Sequence, residues 1–159
     1  MTYKFIFPRT QDEKYKLMEF VYNNTDSFIM NTFGYLWESR GWWDIQPILV
    51  SYDEDKITGL HAFAIKVKTL KTYYIVVDKN YRGQNIGKKL TLEALEEFKN
   101  AVDTFFVNSE ESSSGVPFYK KMFGTRYTTS INEFGTTDYN FSAPIKDIIN
   151  ENSIYDRIS

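Results

Sequence analysis

The residues best suited to chemistry form one short loop, Arg82-Gly83-Gln84-Asn85-Ile86-Gly87-Lys88. An apolar, strand-like stretch precedes the loop, and a helix-like stretch follows it. The first turn of a helix leaves backbone N–H groups unpaired, and the helix dipole favours negative charge there. Gly83 and Gly87 let the backbone approach a ligand closely, while Arg82 and Lys88 add positive charge. The loop is therefore predicted to bind an anion such as a phosphate group.

The glycine spacing excludes two common nucleotide-binding loops. Gly83 and Gly87 are one residue closer than a P-loop requires, and Lys89 occupies the position of its magnesium-binding hydroxyl. The dinucleotide-binding fingerprint requires three glycines at a different spacing. The loop alone leaves one alternative open: a strand–loop–helix connection whose glycines only allow the turn and bind no ligand.

The composition narrows the chemistry further. The chain has 159 residues, suited to one domain, and it contains no cysteine and one histidine, His61. A cysteine nucleophile is thereby excluded. With a single histidine, the chain has few of the residues that a catalytic triad or a metal site requires, so no metal is expected. The formal net charge of −2 argues against nucleic-acid or anionic-membrane binding. No stretch resembles a signal peptide or a membrane span, so a cytoplasmic location is expected.

Hydrophobic periodicity predicts alternating strands and helices in a mixed α/β arrangement. After the loop, Ile86, Leu90 and Ala94 follow the spacing of a helix that packs one face on a sheet. The predicted strands are residues 3–7, 45–52, 57–67, 72–77, 104–107, 126–132 and 137–142, with a turn at 68–71 and a polar loop at 108–115. The predicted helices begin at Gln11, Ile86 and Val116.

The stretch from Tyr74 to Leu90 resembles the acetyl-coenzyme A (acetyl-CoA) motif of the GNAT superfamily of N-acetyltransferases. That motif is a hydrophobic strand, then Arg/Gln-x-x-Gly-x-Gly/Ala, then a helix. Arg82 matches its first position and Gly87 its last, whereas Asn85 stands where the family usually has glycine. Asparagine tolerates a left-handed backbone better than other residues with a side chain, so the loop shape is expected to survive. The presence of Asn85 in place of the usual glycine is expected to affect the affinity for the coenzyme.

A second segment, Phe118 to Gly124, is similar to the family's later Leu/Phe-Tyr-Glu-Lys-x-Gly-Phe helix, with the last Gly-Phe pair inverted. Where the family often has Asn-x-x-Ala upstream, this chain has Ser112 and Gly115. The resemblance covers residues 3–142 and implies a single-domain α/β fold. In that fold helices flank a mostly antiparallel sheet with one splayed parallel strand pair. We expect a GNAT-like domain over residues 1–144 and a tail over residues 145–159, a short helix packed on the domain or on a partner chain.

The resemblance also implies the roles of the site residues. Backbone groups of Ile75, Val76 and Val77 would bond the pantetheine arm, and an N–H near Val77 would stabilise the oxyanion of the tetrahedral intermediate. Ser112 would contact the coenzyme, or it belongs to a solvated loop. The backbone from Arg82 to Lys88 would hold the pyrophosphate, which makes Arg82, Gly83, Gln84, Asn85, Ile86, Gly87 and Lys88 coenzyme-binding candidates.

Tyr119 is the candidate general acid. Without a cysteine, the amine attacks bound acetyl-CoA directly, and the leaving thiolate then needs a proton. A phenol with a pKa of about 10 can supply one. The competing interpretation makes Tyr119 a core aromatic. No general base stands out, and His61 is interpreted as a hydrogen-bonded strand residue; the other candidates are Glu110, Asp78, Tyr73 and Tyr74.

These observations predict an N-acetyltransferase that uses acetyl-CoA as co-substrate and an amine as acceptor. A GNAT-like domain that binds or senses acyl-CoA without catalysis is one alternative. A structural module that forms a homodimer through the isoleucine-rich tail is another. The aromatic segment from Phe33 to Trp43 occupies the region that usually forms one wall of the acceptor cleft in the family, but the acceptor stays unidentified.

Overall fold

The structure is a computed structural model that describes residues 1–25 and 47–158, with side chains as far as residue 152. The aromatic segment from Phe33 to Trp43 lies outside the described residues. The described elements are β1 (Thr2–Ile6), α1 (Gln11–Asn24), β2 (Ile48–Asp53), β3 (Lys56–Lys66), β4 (Thr69–Val77), α2 (Ile86–Phe98), β5 (Thr104–Glu110), α3 (Gly115–Phe123), β6 (Tyr127–Ile131), β7 (Thr137–Pro144) and α4 (Ile145–Ile158).

These strands form one mixed sheet of seven strands in the order β1-β2-β3-β4-β5-β7-β6. β4 and β5 are its parallel pair, and their ladder runs from Thr69–Thr104 to Thr72–Val107. The ladder ends there, although β4 continues to Val77 and β5 to Glu110. The sequence-based prediction of a mixed sheet with one parallel strand pair is confirmed.

The chain divides into two compact units, the first comprising residues 1–63 and 74–94. Within it, β1, β2 and the first part of β3 pair in antiparallel fashion, with Leu49 opposite both Phe5 and His61. The Thr10 hydroxyl caps α1 by accepting a hydrogen bond from the Glu13 N–H. The core of this unit consists of fully or almost fully buried side chains: Leu17, Phe20, Val21, Ile48, Leu49, Val50, Leu60, Phe63 and Leu90.

The second unit comprises residues 64–73 and 95–159. Here β7 lies between β5 and β6 and pairs antiparallel with both. The centre is a cluster of aromatic rings: the Phe123 centroid is 5.0 Å from that of Phe105, in a stacked arrangement, and 5.3 Å from that of Phe141, in a tilted one. Residues 145–158 form α4, with Ile145 and Ile148 buried. The separation of domain and tail at residue 144 stays a prediction.

Two predicted boundaries were wrong. The turn predicted at 68–71 is only two residues long, because Leu70 is fully buried in β4. The polar segment after Val107 is not a loop from its start, since β5 continues to Glu110 by pairing with β7. Its polar side chains face each other across the pair, and the Asn108 amide donates a 2.8 Å hydrogen bond to Asn140 Oδ1. The polar residues therefore did not end the strand, because the neighbouring strand β7 provides hydrogen-bond partners for them.

Backbone strain at Val67 gives a stability prediction. Val67 begins the two-residue turn between β3 and β4 with φ 57°, and its side chain is 96% exposed. A β-branched residue is disfavoured at positive φ, and the side chain makes little contact that would be lost. We expect Val67→Gly to raise the free energy of unfolding by about 0.5–1 kcal/mol, measured by urea denaturation. Val67→Ala keeps the Cβ and is the control; an equal gain there would show that strain is not the cause.

Candidate active site

The predicted anion loop connects β4 to α2 in the first unit. After Val77 the chain makes a short 3₁₀ turn over Lys79–Tyr81, passes Gly83 and Asn85, and enters α2 at Ile86. Gly83 has φ 83° and Asn85 has φ 61°. The left-handed conformation expected of Asn85 is therefore adopted, and the loop keeps its shape without a glycine there.

The loop leads to an exposed helix N-terminus. The Lys89 N–H donates a 3.0 Å hydrogen bond to the Asn85 carbonyl, which begins the helical bonding pattern of α2. The N–H groups of Ile86 and Gly87 precede this first bond, so they have no intrahelical partner. Among the residues that the structure describes, none apart from the chain neighbours of Gly83 would place a heavy atom within 4 Å of a Cβ there. The loop thus combines free donors, the positive end of a helix dipole and open space on one side, which suits an anion.

The start of the loop is fixed by Asp78, which is 8% exposed. Its N–H donates to the Thr58 carbonyl on β3 at 2.9 Å, and its Oδ1 accepts from the Asn80 N–H at 2.8 Å. Lys56 Nζ lies 3.7 Å from Asp78 Oδ2. The carboxylate therefore caps the 3₁₀ turn, which weakens its candidacy as a general base.

Arg82 binds protein carbonyl groups. Its Nε donates to the Val77 carbonyl at 3.3 Å, and an Nη2 hydrogen donates to the Asn24 carbonyl at the end of α1 at 3.0 Å. Sequence reasoning assigned Arg82 to the coenzyme, but these contacts give its side chain a structural part in the loop. Asn24 was missed, since it lies 58 residues away in sequence and no local pattern marks it.

The remaining coenzyme-binding candidates occupy unequal positions. On β4, Val76 is buried, whereas Ile75 and Val77 on the alternate positions are half-buried. Gln84 is exposed in the loop. In the second unit, the exposed Ser112 hydroxyl donates to Glu110 Oε1 at 3.2 Å. That contact suits the solvated-loop interpretation of Ser112, and the carboxylate of Glu110 is its acceptor.

Tyr119 lies on α3 in the aromatic core of the second unit. It is 5% exposed, and its ring centroid is 5.0 Å from that of Phe118 and 5.7 Å from that of Phe141. A Cβ on Gly115 would lie 3.2 Å from Tyr119 Cε2, a tighter contact than most real Cβ atoms make. Gly115 therefore leaves room for the Tyr119 ring one helical turn away.

Burial raises the pKa of Tyr119 above its ordinary value of 10. An apolar environment disfavours the phenolate, so the hydroxyl keeps its proton throughout the physiological range. Tyr119 is thus protonated at neutral pH, and its pKa is less closely matched to that of a thiol than the unperturbed value suggests. Burial likewise raises the pKa of Tyr74, which makes this candidate base a poor proton acceptor at neutral pH.

His61 has the properties of a structural residue. It is fully buried on β3, and its Nδ1 lies 3.0 Å from the Leu90 carbonyl of α2. Because a carbonyl can only accept, Nδ1 carries the hydrogen. Burial lowers the pKa of His61 from 6.5 to about 4, and the bond to Leu90 opposes this only in part. His61 is therefore neutral at pH 7, in agreement with the sequence-based interpretation.

The buried His61 predicts how stability depends on pH. As pH falls through 6.5, the unfolded chain takes up a proton on this histidine, while the folded chain does so only near 4. The free energy of unfolding should therefore decrease by about 1 kcal/mol between pH 7.5 and pH 5.5, measured by urea denaturation. His61 is the one histidine of the chain, so His61→Gln should remove most of this difference. An undiminished decrease in that variant would contradict the assignment.

Comparison with known proteins identifies the family to which the chain belongs. The sequence profile of the acetyltransferase (GNAT) domain matches residues 44–131, more than half of the chain. The chain belongs to the GNAT family of acetyltransferases. No curated protein sequence matches the chain.

Solved structures share the fold at low sequence identity. The aminoglycoside 6'-N-acetyltransferase from Enterococcus faecium is similar with a TM-score of 0.69 and 12% identity, over 91% of this chain and 97% of that one. The ribosomal-protein-S18-alanine N-acetyltransferase from Escherichia coli gives 0.65 and 13%, over 91% and 94%. A GNAT family acetyltransferase from Elizabethkingia anophelis, with acetyl-CoA bound, gives 0.64 and 15%, over 90% and 97%.

The described residues provide no evidence for a metal site or a membrane-crossing helix. Within residues 1–25 and 47–152, no three side chains of His, Asp or Glu are grouped so as to hold a metal ion. None of the helices described above is both long enough and apolar enough to cross a membrane.

Proposed function

We propose that this protein transfers the acetyl group of acetyl-CoA directly to a primary amine within a ternary complex. The observation that carries the proposal is the loop from Gly83 to Gly87, which opens α2 with a left-handed Asn85 and unbonded helix N–H groups. Membership of the GNAT acetyltransferase family supports the same activity. The absence of cysteine from the chain favours direct transfer over a thiol-linked acyl-enzyme.

The loop is proposed to bind the diphosphate of coenzyme A. The N–H groups of Gly83 to Lys88 are proposed to donate to the phosphate oxygens, with the dipole of α2 adding a favourable potential. Lys88 and Lys89 add positive charge to a chain whose net charge is −2. Arg82 is proposed to contribute by fixing the loop, since its guanidinium already donates to two main-chain carbonyls.

The end of β4 is proposed to position the rest of the coenzyme. The β4–β5 ladder stops at Thr72, and beyond it the backbone groups of Ile75, Val76 and Val77 are proposed to bond the pantetheine arm. The acetyl thioester supplies the activated acyl group. The Val77 N–H is proposed as the donor that stabilises the oxyanion, a contribution of about 3–4 kcal/mol in comparable sites.

Tyr119 is proposed to donate a proton to the departing thiolate. Burial keeps its hydroxyl protonated, and packing against Phe118 and Phe141 restricts its ring. Ser112 is proposed as an auxiliary contact to the coenzyme. The acceptor is proposed to be an amine, and the similar structures include an aminoglycoside 6'-N-acetyltransferase and a ribosomal-protein-S18-alanine N-acetyltransferase. The acetyltransferase domain is proposed to span residues 1–144, with residues 145–159 as a C-terminal extension.

Coenzyme binding can be tested with a matched pair of glycine variants. Gly83 and Gly135 have φ of 83° and 78°, and neither would bring a Cβ within 4 Å of a non-neighbouring residue. Both alanine variants should therefore lose about 1 kcal/mol of stability through backbone strain. Gly83→Ala should also weaken coenzyme A binding about tenfold by calorimetry, because strain in the loop misplaces its N–H donors.

Gly135→Ala is the control, since this residue lies in the hairpin between β6 and β7. It should bind coenzyme A like the wild type. Equal affinity in all three proteins would exclude the loop as the diphosphate site. If the wild type shows no association at millimolar coenzyme A, the proposed function fails altogether.

Catalysis can be tested at Tyr119. Tyr119→Phe removes only the hydroxyl, so kcat should fall about 100-fold while the affinity for acetyl-CoA stays within about twofold. Thiol release with a panel of amines measures the rate, and calorimetry measures the affinity. Unchanged turnover would leave Tyr119 a core aromatic. A wild type that binds acetyl-CoA but acetylates none of the amines would support the alternative of a sensor without catalysis.

A further inference from the structure

We propose that Asn24, the last residue of α1, is a positioning residue for the diphosphate loop. The inference rests on the proposed coenzyme site and adds a determinant remote from it in sequence. Three hydrogen bonds of Asn24 carry the inference, and two of them join it to the segment between β4 and α2: the Lys79 N–H donates to Asn24 Oδ1 at 3.0 Å, and Arg82 Nη2 donates to the Asn24 carbonyl at 3.0 Å.

The third bond holds the carboxamide in one orientation. Asn24 Nδ2 donates to the Phe20 carbonyl at 2.8 Å, within the last turn of α1. Because the Phe20 carbonyl can only accept and the Lys79 N–H can only donate, the two ends of the amide are not interchangeable. Phe20 is 7% exposed, and α1 is anchored by it and by the buried Leu17 and Val21. Asn24 therefore joins the loop to a helix that is itself packed in the core.

The two contacts involve the first residue of the 3₁₀ turn and the residue directly after the turn. Lys79 opens the turn and Arg82 follows it, directly before Gly83. Arg82 is also held by the Val77 carbonyl, so the segment from Val77 to Arg82 is tied at its beginning and at its end. The main chain therefore reaches Gly83 from a fixed direction, and the position of the N–H groups beyond Gly83 depends on Asn24.

Fixing donors before the ligand arrives lowers the ordering cost of binding. Loss of the Asn24 side chain should leave the loop able to form but less often in the binding conformation. The effect should therefore appear in binding of the diphosphate and not in the chemistry at the thioester. A general loss of structure would instead lower both the affinity for the diphosphate and the rate of transfer, so the two explanations are distinguishable.

The test compares Asn24→Ala with Asn23→Ala, an exposed asparagine one residue earlier in the same helix. Coenzyme A affinity is measured by calorimetry, and transfer is measured with two donors, acetyl-CoA and S-acetylpantetheine, which lacks the diphosphate. Asn24→Ala should weaken coenzyme A binding about fivefold to tenfold and raise KM for acetyl-CoA equally, with kcat within about twofold. Its kcat/KM for S-acetylpantetheine should equal that of the wild type, and Asn23→Ala should match the wild type throughout.

Amide hydrogen exchange supplies a readout independent of the ligand. In the free protein, the segment 79–87 should exchange faster in Asn24→Ala than in the wild type. Asn24→Asp keeps an acceptor for the Lys79 N–H but loses the donor to Phe20, so it should retain most of the protection at Lys79. It also serves as the second variant if Asn24→Ala does not fold.

The outcomes are distinguishable. If the wild type binds coenzyme A and Asn24→Ala binds it equally well, the role of Asn24 is overturned while the proposed function stands. A loss that is equal for acetyl-CoA and S-acetylpantetheine would also overturn it, because the defect would not be specific to the diphosphate. If the wild type itself binds no coenzyme A, the proposed function and the positioning role both fail.

Discussion

One backbone constraint underlies the proposed coenzyme site: the chain leaves β4 and enters α2 so that the N–H groups of Ile86 and Gly87 have no intrahelical partner. Two left-handed residues, Gly83 and Asn85, make this reversal, and α2 then begins at Ile86. Had the loop closed onto its own helix N–H groups, the positive end of the helix dipole would be spent on the protein itself. The proposed anion site of this mildly acidic chain depends on those N–H groups.

The surroundings of the loop serve to hold it in that shape. Asp78 ties its start to β3 and caps the 3₁₀ turn, while Arg82 and Asn24 tie its middle to the end of α1. Most of these bonds join main chain to side chain within the first unit. They explain how an asparagine can replace the glycine usual in the family, since the loop conformation is supported from outside and not only by intrinsic backbone preference.

The second unit illustrates how burial changes the meaning of a catalytic candidate. Tyr119 is held among Phe118, Phe123 and Phe141, and the same packing that fixes its ring also raises its pKa. The core-aromatic and proton-donor interpretations are therefore compatible, because a phenol protected from ionisation keeps the proton that a leaving group needs. His61 shows the opposite case, since burial and a bond to Leu90 explain it fully without catalysis.

Local patterns along the chain were enough to predict the family resemblance, the mixed sheet and the location of the loop, because periodicity, glycine spacing and helix starts involve only residues close in sequence. The sequence also indicated that Asn85 would tolerate a left-handed backbone. Tertiary structure alone decided that Arg82 donates to main-chain carbonyls, that Asn24 holds the loop, and that β5 continues through polar residues. In each case a polar group forms a hydrogen bond with a residue that only the fold brings close to it. Arg82 and Asn24 are 58 residues apart in sequence, and Asn108 and Asn140 are 32 residues apart.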